Sequence, residues 1–218
     1  MSIPFQNSET AKNLLRAFAG ESQARNRYGF AANLCQKQEL QAMAFIFQAT
    51  AKQEQAHAKV FWDHLQALNG QNLPIYGAYP IEGTNRVLEL LRAAQHNEHE
   101  EHGSVYPSFA AIATQEGFPE AAASFRQIAA IEQLHGERFG LLADQLESGA
   151  LFVSQIETGW MCLNCGHTQN SLEAPKQCPV CNHGQGWFIR LELAPWSPVV
   201  KQTLIKNYAA SGAASKTG

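Results

Sequence analysis

The sequence lacks the features that mark membrane proteins and nucleic-acid-binding proteins. No apolar run approaches the roughly 20 residues that a membrane-spanning helix requires. Sixteen Lys and Arg against 19 Asp and Glu leave a net charge of −3, which gives no electrostatic attraction to nucleic acid or to an anionic membrane. Residues 1–6 contain no basic segment followed by an apolar core, so we expect no signal peptide and a cytoplasmic location.

Apolar residues that recur every three or four positions predict four amphipathic helices in the first two-thirds of the chain. Ser8 is a suitable N-cap for the first helix, and Pro107 should kink the third. Residues 71–83 carry two prolines and two glycines, which predicts a long crossover between the second and third helices. The predicted helices span residues 8–37, 39–69, 84–116 and 119–147.

Two Glu-x-x-His motifs lie within the apolar stripes of the second and fourth predicted helices, and one further glutamate lies on the inward stripe of each of the other two. Three residues are about one helical turn, so each carboxylate and its imidazole project from the same face. Unpaired charges in a core are costly, so a cation is needed between the helices. This pattern is the ligand set of a di-iron or di-manganese carboxylate bundle. The predicted ligands are Glu21, Glu54, His57, Glu98, Glu132 and His135.

Three nearby side chains allow more than one interpretation. Glu101 lies one turn after Glu98 and could be a seventh ligand or an acid beside the metals; we favour the ligand. His102 also lies one turn from Glu98 and is a rival ligand. His64 lies about 10 Å from His57 by helix rise, too far to share the same metals, so we interpret it as structural.

Four of the five cysteines form two Cys-x-x-Cys pairs, and the fifth, Cys35, stands alone. This usage is typical of a reducing compartment and predicts a tetrahedral metal site. Zinc is the common occupant of an isolated site of this kind but carries no electrons, whereas iron held by four thiolates does. A redox-active metal pair in the bundle needs electrons, which favours iron. The predicted ligands are Cys162, Cys165, Cys178 and Cys181.

Near residue 151 the helical periodicity gives way to short β-type runs, which predicts a second, small domain. The predicted fold class is therefore mainly α, a four-helix bundle followed by a small β and knuckle domain. The predicted organisation is a bundle at 1–148, a linker at 149–157, a four-cysteine domain at 158–196 and a partly disordered tail at 197–218.

From residue 8 to about residue 196, the sequence closely resembles the rubrerythrin family. Five stretches match this family in order and spacing, and the C-terminal cysteines resemble its rubredoxin-type domain. The stretches are Ala19–Tyr28 (AGESQARNRY), Gln53–Lys59 (QEQAHAK), Glu98–Glu101 (EHEE), Tyr106–Ala110 (YPSFA) and Glu132–Phe139 (EQLHGERF).

The resemblance implies a ferritin-like di-iron bundle fused to a rubredoxin-like iron domain, acting in oxidative stress defence. It implies reduction of hydrogen peroxide to water with electrons from an NAD(P)H-dependent rubredoxin-type reductase or another donor. Glu101 would be a ligand that exchanges with His57 as the oxidation state changes. Tyr28 and Tyr106 match tyrosines that form hydrogen bonds near the metals, and together with Glu101 they are the predicted catalytic residues. Asn182 replaces a frequent Gly of the second knuckle, but Asn tolerates the left-handed conformation, so the knuckle should survive.

Two other functions compete with a peroxidase. A ferritin-like ferroxidase or iron-handling protein is the main alternative, although iron storage needs no attached electron carrier. A zinc-ribbon interaction module is disfavoured by the inward carboxylates. The short linker limits how far the cysteine domain can fold back, which predicts a homodimer, arranged head to tail or by exchange of helices, with electrons crossing between chains.

Overall fold

The computed structural model describes residues 3–194, which divide into two compact units. The first contains residues 3–38 and 43–148, and the second contains residues 39–42 and 149–194. The predicted tail at 197–218, together with the last two residues of the predicted cysteine domain, lies outside the described residues. The mainly helical fold class predicted above is confirmed: a helical bundle followed by a small sheet.

The first unit is built from five α-helices, since the third predicted helix is divided in two. As predicted, Ser8 is the N-cap of the first helix, and its Oγ accepts a hydrogen bond from the backbone N–H of Ala11. The second helix is shorter than predicted because the chain unwinds after His64. Within residues 3–194, no helix is both long and apolar enough to cross a membrane. The helices are α1 (Glu9–Lys37), α2 (Gln41–His64), α3 (Val87–Glu100), α4 (Tyr106–Glu116) and α5 (Pro119–Glu147).

A single π-helical turn, Glu101–Val105, joins α3 to α4. Its hydrogen-bond pattern is closed by the Tyr106 N–H, which donates to the Glu101 carbonyl five residues earlier. Pro107 has no N–H to donate to the helix, so the chain must depart from α-helical bonding near this point. The sequence predicts a kink beyond Glu101, whereas the irregularity begins at Glu101 itself. Because π-turns widen a helix locally, this one changes where the Glu101 side chain projects.

Residues 69–86, here called the crossover segment, contain no helix and run along α1. Side chains of α1 hold this segment by its backbone: Arg16 Nε donates to the Tyr76 carbonyl at 2.8 Å, and Gln23 donates to the Pro80 carbonyl. A half-buried ion pair, Arg27 with Glu82 at 2.8 Å, fixes its far end. The predicted long connection is thus an ordered strap over one face of α1.

Helix α5 packs closely against α3 because it carries glycines at the contact. A Cβ atom at Gly136 would collide with the His99 ring, and one at Gly140 would collide with the Gln95 side chain. Beyond α3, the core continues into a cluster of aromatic side chains that includes Phe61, Phe125 and Tyr106. This packing fixes α3 and α5 at short range, which brings their inward acidic residues close together.

The second unit contains a three-stranded antiparallel sheet in which the first strand along the chain lies between the other two. Its buried core is Trp160 and Phe188, packed beside the cysteines, and Trp160 Nε1 donates to the Ser171 carbonyl at 3.1 Å. The first strand begins at Val153, inside the segment predicted as a linker. The strands are β1 (Val153–Cys162), β2 (Thr168–Glu173) and β3 (Phe188–Arg190).

Candidate metal centres

Six ligand-type side chains meet inside the bundle, carried by α1, α2, α3 and α5. All six are buried, and their donor atoms form two groups of four that share Glu54 and Glu132. The first group is Glu21, Glu54, His57 and Glu132, and the second is Glu54, Glu98, Glu132 and His135. The structure therefore brings together the six residues that the helical spacing predicts, and this cluster is here called the cage.

The two shared glutamates each direct one oxygen to each group. Glu54 places Oε2 3.0 Å from His57 Nδ1 and Oε1 3.1 Å from His135 Nδ1. Glu132 places Oε1 2.9 Å from His57 Nδ1 and Oε2 2.8 Å from His135 Nδ1. Glu21 and Glu98 each contribute to one group only, with Oε2 at 3.8 and 3.7 Å from the respective imidazole. This is the arrangement of two bridging and two terminal carboxylates around a pair of cations.

The buried acids create an electrostatic demand for cations. Oxygen atoms of all four glutamates, together with His135 Nδ1, are buried without a hydrogen-bond partner among the described residues. Burial lowers the pKa of His57, but the surrounding carboxylates of Glu132, Glu21 and Glu54 outweigh it and raise that pKa to about 12. Burial, reinforced by repulsion from neighbouring glutamates, raises the pKa of Glu98 to about 8. Buried oxygen and nitrogen atoms that lack hydrogen-bond partners and surround a common centre are suitable ligands for two divalent metal ions.

The tautomer of His135 is set by a residue that the sequence analysis did not single out. His135 Nε2 lies 3.0 Å from Oε1 of Gln53, which is an acceptor only. The Nε2–H of His135 therefore donates to Gln53, which leaves Nδ1, the nitrogen that faces Glu54 and Glu132, as the one available to a metal ion. A fixed tautomer is what a metal-ligating histidine requires. Gln53 precedes Glu54 on an exposed face of α2. Its place in the stretch Gln53–Lys59 is the only sequence feature that distinguishes it from an ordinary surface residue.

Two buried tyrosines hold the terminal carboxylates from outside the cage. The Tyr28 hydroxyl donates to Glu98 Oε1, and the Tyr106 hydroxyl donates to Glu21 Oε1. Burial, reinforced by the nearby carboxylates, raises the pKa of both phenols well above the usual value, so each remains a donor. Both predicted tyrosines therefore orient a carboxylate whose other oxygen faces the cage.

Glu101 lies beside the cage but outside both donor groups. It is half-buried on the π-turn, and desolvation together with repulsion from Glu98, Glu132 and Glu54 raises its pKa well above the usual value. His102, the rival ligand, instead places Nδ1 2.9 Å from the Ala129 carbonyl on α5. The structure thus contains His57 in the cage and Glu101 beside it.

The four cysteines of the second unit also converge. Cys162 Sγ lies 3.7 Å from Cys181 Sγ, and Cys165 Sγ lies 3.6 Å from Cys178 Sγ. A disulfide would need about 2.05 Å, whereas the edge of a tetrahedron with metal–sulfur bonds of about 2.3 Å is about 3.8 Å. The thiols therefore have the spacing of a tetrahedral metal site.

Two matching knuckles present these sulfurs. Gly166 and Asn182 both adopt positive φ, and their N–H groups donate to the carbonyls of Cys162 and Cys178 at 2.8 and 2.9 Å. The prediction that Asn182 preserves its knuckle is therefore confirmed. The His183 backbone N–H lowers the pKa of the Cys181 thiol to about 5, which favours the metal-binding thiolate.

Comparison with known proteins identifies two matching family models. The Rubrerythrin model matches residues 12–143, and the model of the rubrerythrin rubredoxin-like domain matches residues 160–189. The chain is 44% identical over 188 residues to rubrerythrin of Porphyromonas gingivalis, covering 86% of this chain and 92% of that protein. It is 39% identical over 183 residues to rubrerythrin of Nitratidesulfovibrio vulgaris, covering 84% and 94%.

Solved structures show the same fold. The mixed-valence form of nigerythrin aligns with a TM-score of 0.56 at 24% identity, covering 87% of this chain and 88% of that one. The fully reduced, all-ferrous form aligns with a TM-score of 0.57 at 25% identity, with the same coverage. These similarities extend over both units of the chain.

Proposed function

The chain belongs to the rubrerythrin family, and on that premise we propose that it is a peroxidase that reduces hydrogen peroxide to water. It is an oxidoreductase whose cofactors are a di-iron centre and a mononuclear iron bound by four cysteines. The observation that carries the proposal is the presence of an electron-carrying site and a two-metal cage in one chain. Iron storage, the alternative, needs no attached electron carrier.

Glu21, Glu54, His57, Glu98, Glu132 and His135 would hold the two irons. Two ferrous ions bound there would supply the two electrons that convert H2O2 and two protons into two molecules of water. Tyr28 and Tyr106 keep the terminal carboxylates in place through their hydrogen bonds. Gln53 keeps His135 in the tautomer that ligates through Nδ1.

Glu101 would supply a proton to the departing oxygen. Burial and repulsion from the neighbouring acids raise its pKa well above the usual value, which favours the protonated form, and it lies on the π-turn beside the cage. A general acid must hold its proton at the working pH and lie within reach of the reacting atoms. We further propose that Glu101 becomes a ligand in exchange for His57 when the irons are oxidised.

The decisive experiment is anaerobic stopped-flow of the fully reduced protein against hydrogen peroxide and against dioxygen. We expect peroxide to oxidise both iron chromophores, and the di-iron centre to react before the four-cysteine iron. Faster oxidation by dioxygen, with iron accumulating beyond the three bound ions, would instead support the ferroxidase alternative.

The proposed electron path needs a second subunit and an external donor, which we propose to be an NAD(P)H-dependent rubredoxin-type reductase. From His135, helix α5 continues to Glu147, and twelve residues rise by about 18 Å before the cysteine unit begins. A head-to-tail homodimer or exchange of helices would place a neighbour's metals within reach without reversing the chain.

A mixed dimer tests this path, with Cys162→Ser in one chain and Glu54→Ala in the other. Each homodimer lacks one centre. Restored peroxide turnover in purified heterodimers supports transfer between chains, whereas inactive heterodimers with the expected iron content mean that electrons stay within one chain.

A further inference from the structure

A cavity of about 240 Å³ lies beside the di-iron cage, between α1, the crossover segment and the π-turn. Its inner wall includes Glu101 and Tyr106. Glu101 is the acid next to the cage, and the Tyr106 hydroxyl donates to the ligand Glu21. A small molecule in this cavity would therefore touch the groups that adjoin the metals.

The outer wall of the cavity is the crossover segment, and Tyr79 is its largest side chain there. The Tyr79 hydroxyl donates to the Arg16 carbonyl at 3.0 Å, which fixes the ring against α1. The ring lies over Gly20, where an added Cβ would be 3.6 Å from Tyr79 Cε1. Gly20 immediately precedes Glu21, so the ring covers α1 at the level of the cage.

The backbone on both sides of Tyr79 is also held in place. Arg16 Nε donates to the Tyr76 carbonyl at 2.8 Å, and Gln23 donates to the Pro80 carbonyl. Tyr79 itself remains 37% exposed, so its ring reaches from the cavity to solvent. A ring that is pinned at its hydroxyl and open on one edge can limit the size of what enters.

We propose that Tyr79 is the gate residue of this cavity and restricts the site to hydrogen peroxide over bulky organic hydroperoxides. The inference rests on the proposed peroxidase function. Hydrogen peroxide has two heavy atoms and would pass beside the Tyr79 ring. The tert-butyl group of tert-butyl hydroperoxide would collide with that ring. The Tyr79 hydroxyl bonds to a backbone carbonyl rather than to a metal-ligating side chain, so Tyr79 would act through the space that its ring occupies.

The test compares the rates at which hydrogen peroxide and tert-butyl hydroperoxide oxidise the reduced, iron-loaded protein. In the wild type, we expect hydrogen peroxide to react at least about tenfold faster. Tyr79→Ala should speed the bulky peroxide by about tenfold while changing the hydrogen peroxide rate by less than about twofold. Tyr79→Phe keeps the ring and should keep most of the discrimination. Ala78→Trp, at the same wall, should slow both peroxides.

Tyr76→Ala is the matched control, because Tyr76 lies on the same segment with its side chain 92% exposed, and the variant retains the carbonyl that Arg16 binds. The control should leave both rates unchanged.

Association of azide with the diferric form, followed by absorbance, tests the gate without turnover and should be faster in Tyr79→Ala. An unchanged peroxide ratio and azide rate in iron-replete Tyr79→Ala would overturn the gate. A wild type that reacts with neither peroxide would instead refute the peroxidase proposal, while the azide measurement still decides the gate.

Discussion

Replacement of Gln53 should weaken metal binding through a ligand that it touches rather than through any metal contact of its own. Gln53 Oε1 accepts the Nε2–H of buried His135 at 3.0 Å, and no other partner of this nitrogen exists among the described residues. Partners of this kind contribute about 10- to 100-fold to metal affinity. Leaving a buried donor unpaired costs about 1–3 kcal/mol, which is the same range.

The exposure of Gln53 decides where in that range each variant falls. Because Gln53 lies at the surface, Gln53→Ala lets water replace the lost acceptor, and the loss should be about tenfold or less. Gln53→Leu fills the same space without an acceptor and excludes water, so its loss should approach about 100-fold. Gln55→Ala, on the same helix and also exposed, is the control.

The assay is competition for Co²⁺ between each apo-protein and a chromophoric chelator, with circular dichroism to verify folding. Cobalt reports ligand geometry through its visible spectrum and avoids oxidation during the titration. The reasoning is refuted if Gln53→Leu binds cobalt as tightly as Gln55→Ala, because the hydrogen bond would then contribute nothing to the tautomer of His135.

Three further predictions concern other parts of the chain. Cys162→Ser should lose one of three irons and the visible colour of the cysteine site while keeping the iron pair. If metal analysis of the wild type shows zinc in the cysteine site after iron-replete expression, the site has no electron-transfer role. Glu101→Ala should keep at least one bundle iron but reduce peroxide far more slowly, whereas Glu54→Ala should lose iron occupancy; wild-type activity of Glu101→Ala would exclude Glu101 from the reaction. Glu116 caps α1 by accepting the N–H groups of Glu9 and Thr10 at 3.0 and 2.7 Å, so Glu116→Ala should cost about 1 kcal/mol in thermal unfolding relative to Glu120→Ala. Burial raises the pKa of Glu116, but hydrogen bonds from Thr10 and the Glu9 N–H outweigh it and lower that pKa. The stabilisation by Glu116 is therefore complete above about pH 4.3, the pKa of an unperturbed Glu. The difference in stability between Glu116→Ala and Glu120→Ala should shrink as the pH falls below that value.

Helical periodicity was sufficient to predict the cage because every ligand lies at a position that the pattern already assigns to the core. Glu54 and His57 are one turn apart on a stripe of apolar residues, and a stripe can face only one way in a bundle. The same logic made the cysteine site predictable, since two Cys-x-x-Cys pairs admit few geometries.

The π-turn and the role of Gln53 were not predictable in this way. Pro107 predicts that the helix is irregular near this point, but a kink and a π-turn both accommodate its missing N–H. Tertiary packing determines which of the two forms. Gln53 occupies an outward position, where a polar side chain is usually solvated, and only the path of α5 shows that its oxygen meets His135. Both features depend on contacts between residues distant in sequence.

The charge that two ferrous ions would bring is compatible with His57 inside the cage and Glu101 outside it. Four carboxylates formally neutralise two ferrous ions, and a neutral imidazole adds no charge. Oxidation of the pair adds two positive charges, and replacing His57 by the carboxylate of Glu101 would remove one of them. Outside the cage, burial and the neighbouring acids raise the pKa of Glu101, which favours the protonated form, and entry as an anion would release that proton. We therefore expect one residue to supply a proton when peroxide is reduced and to balance the charge that this reduction leaves behind.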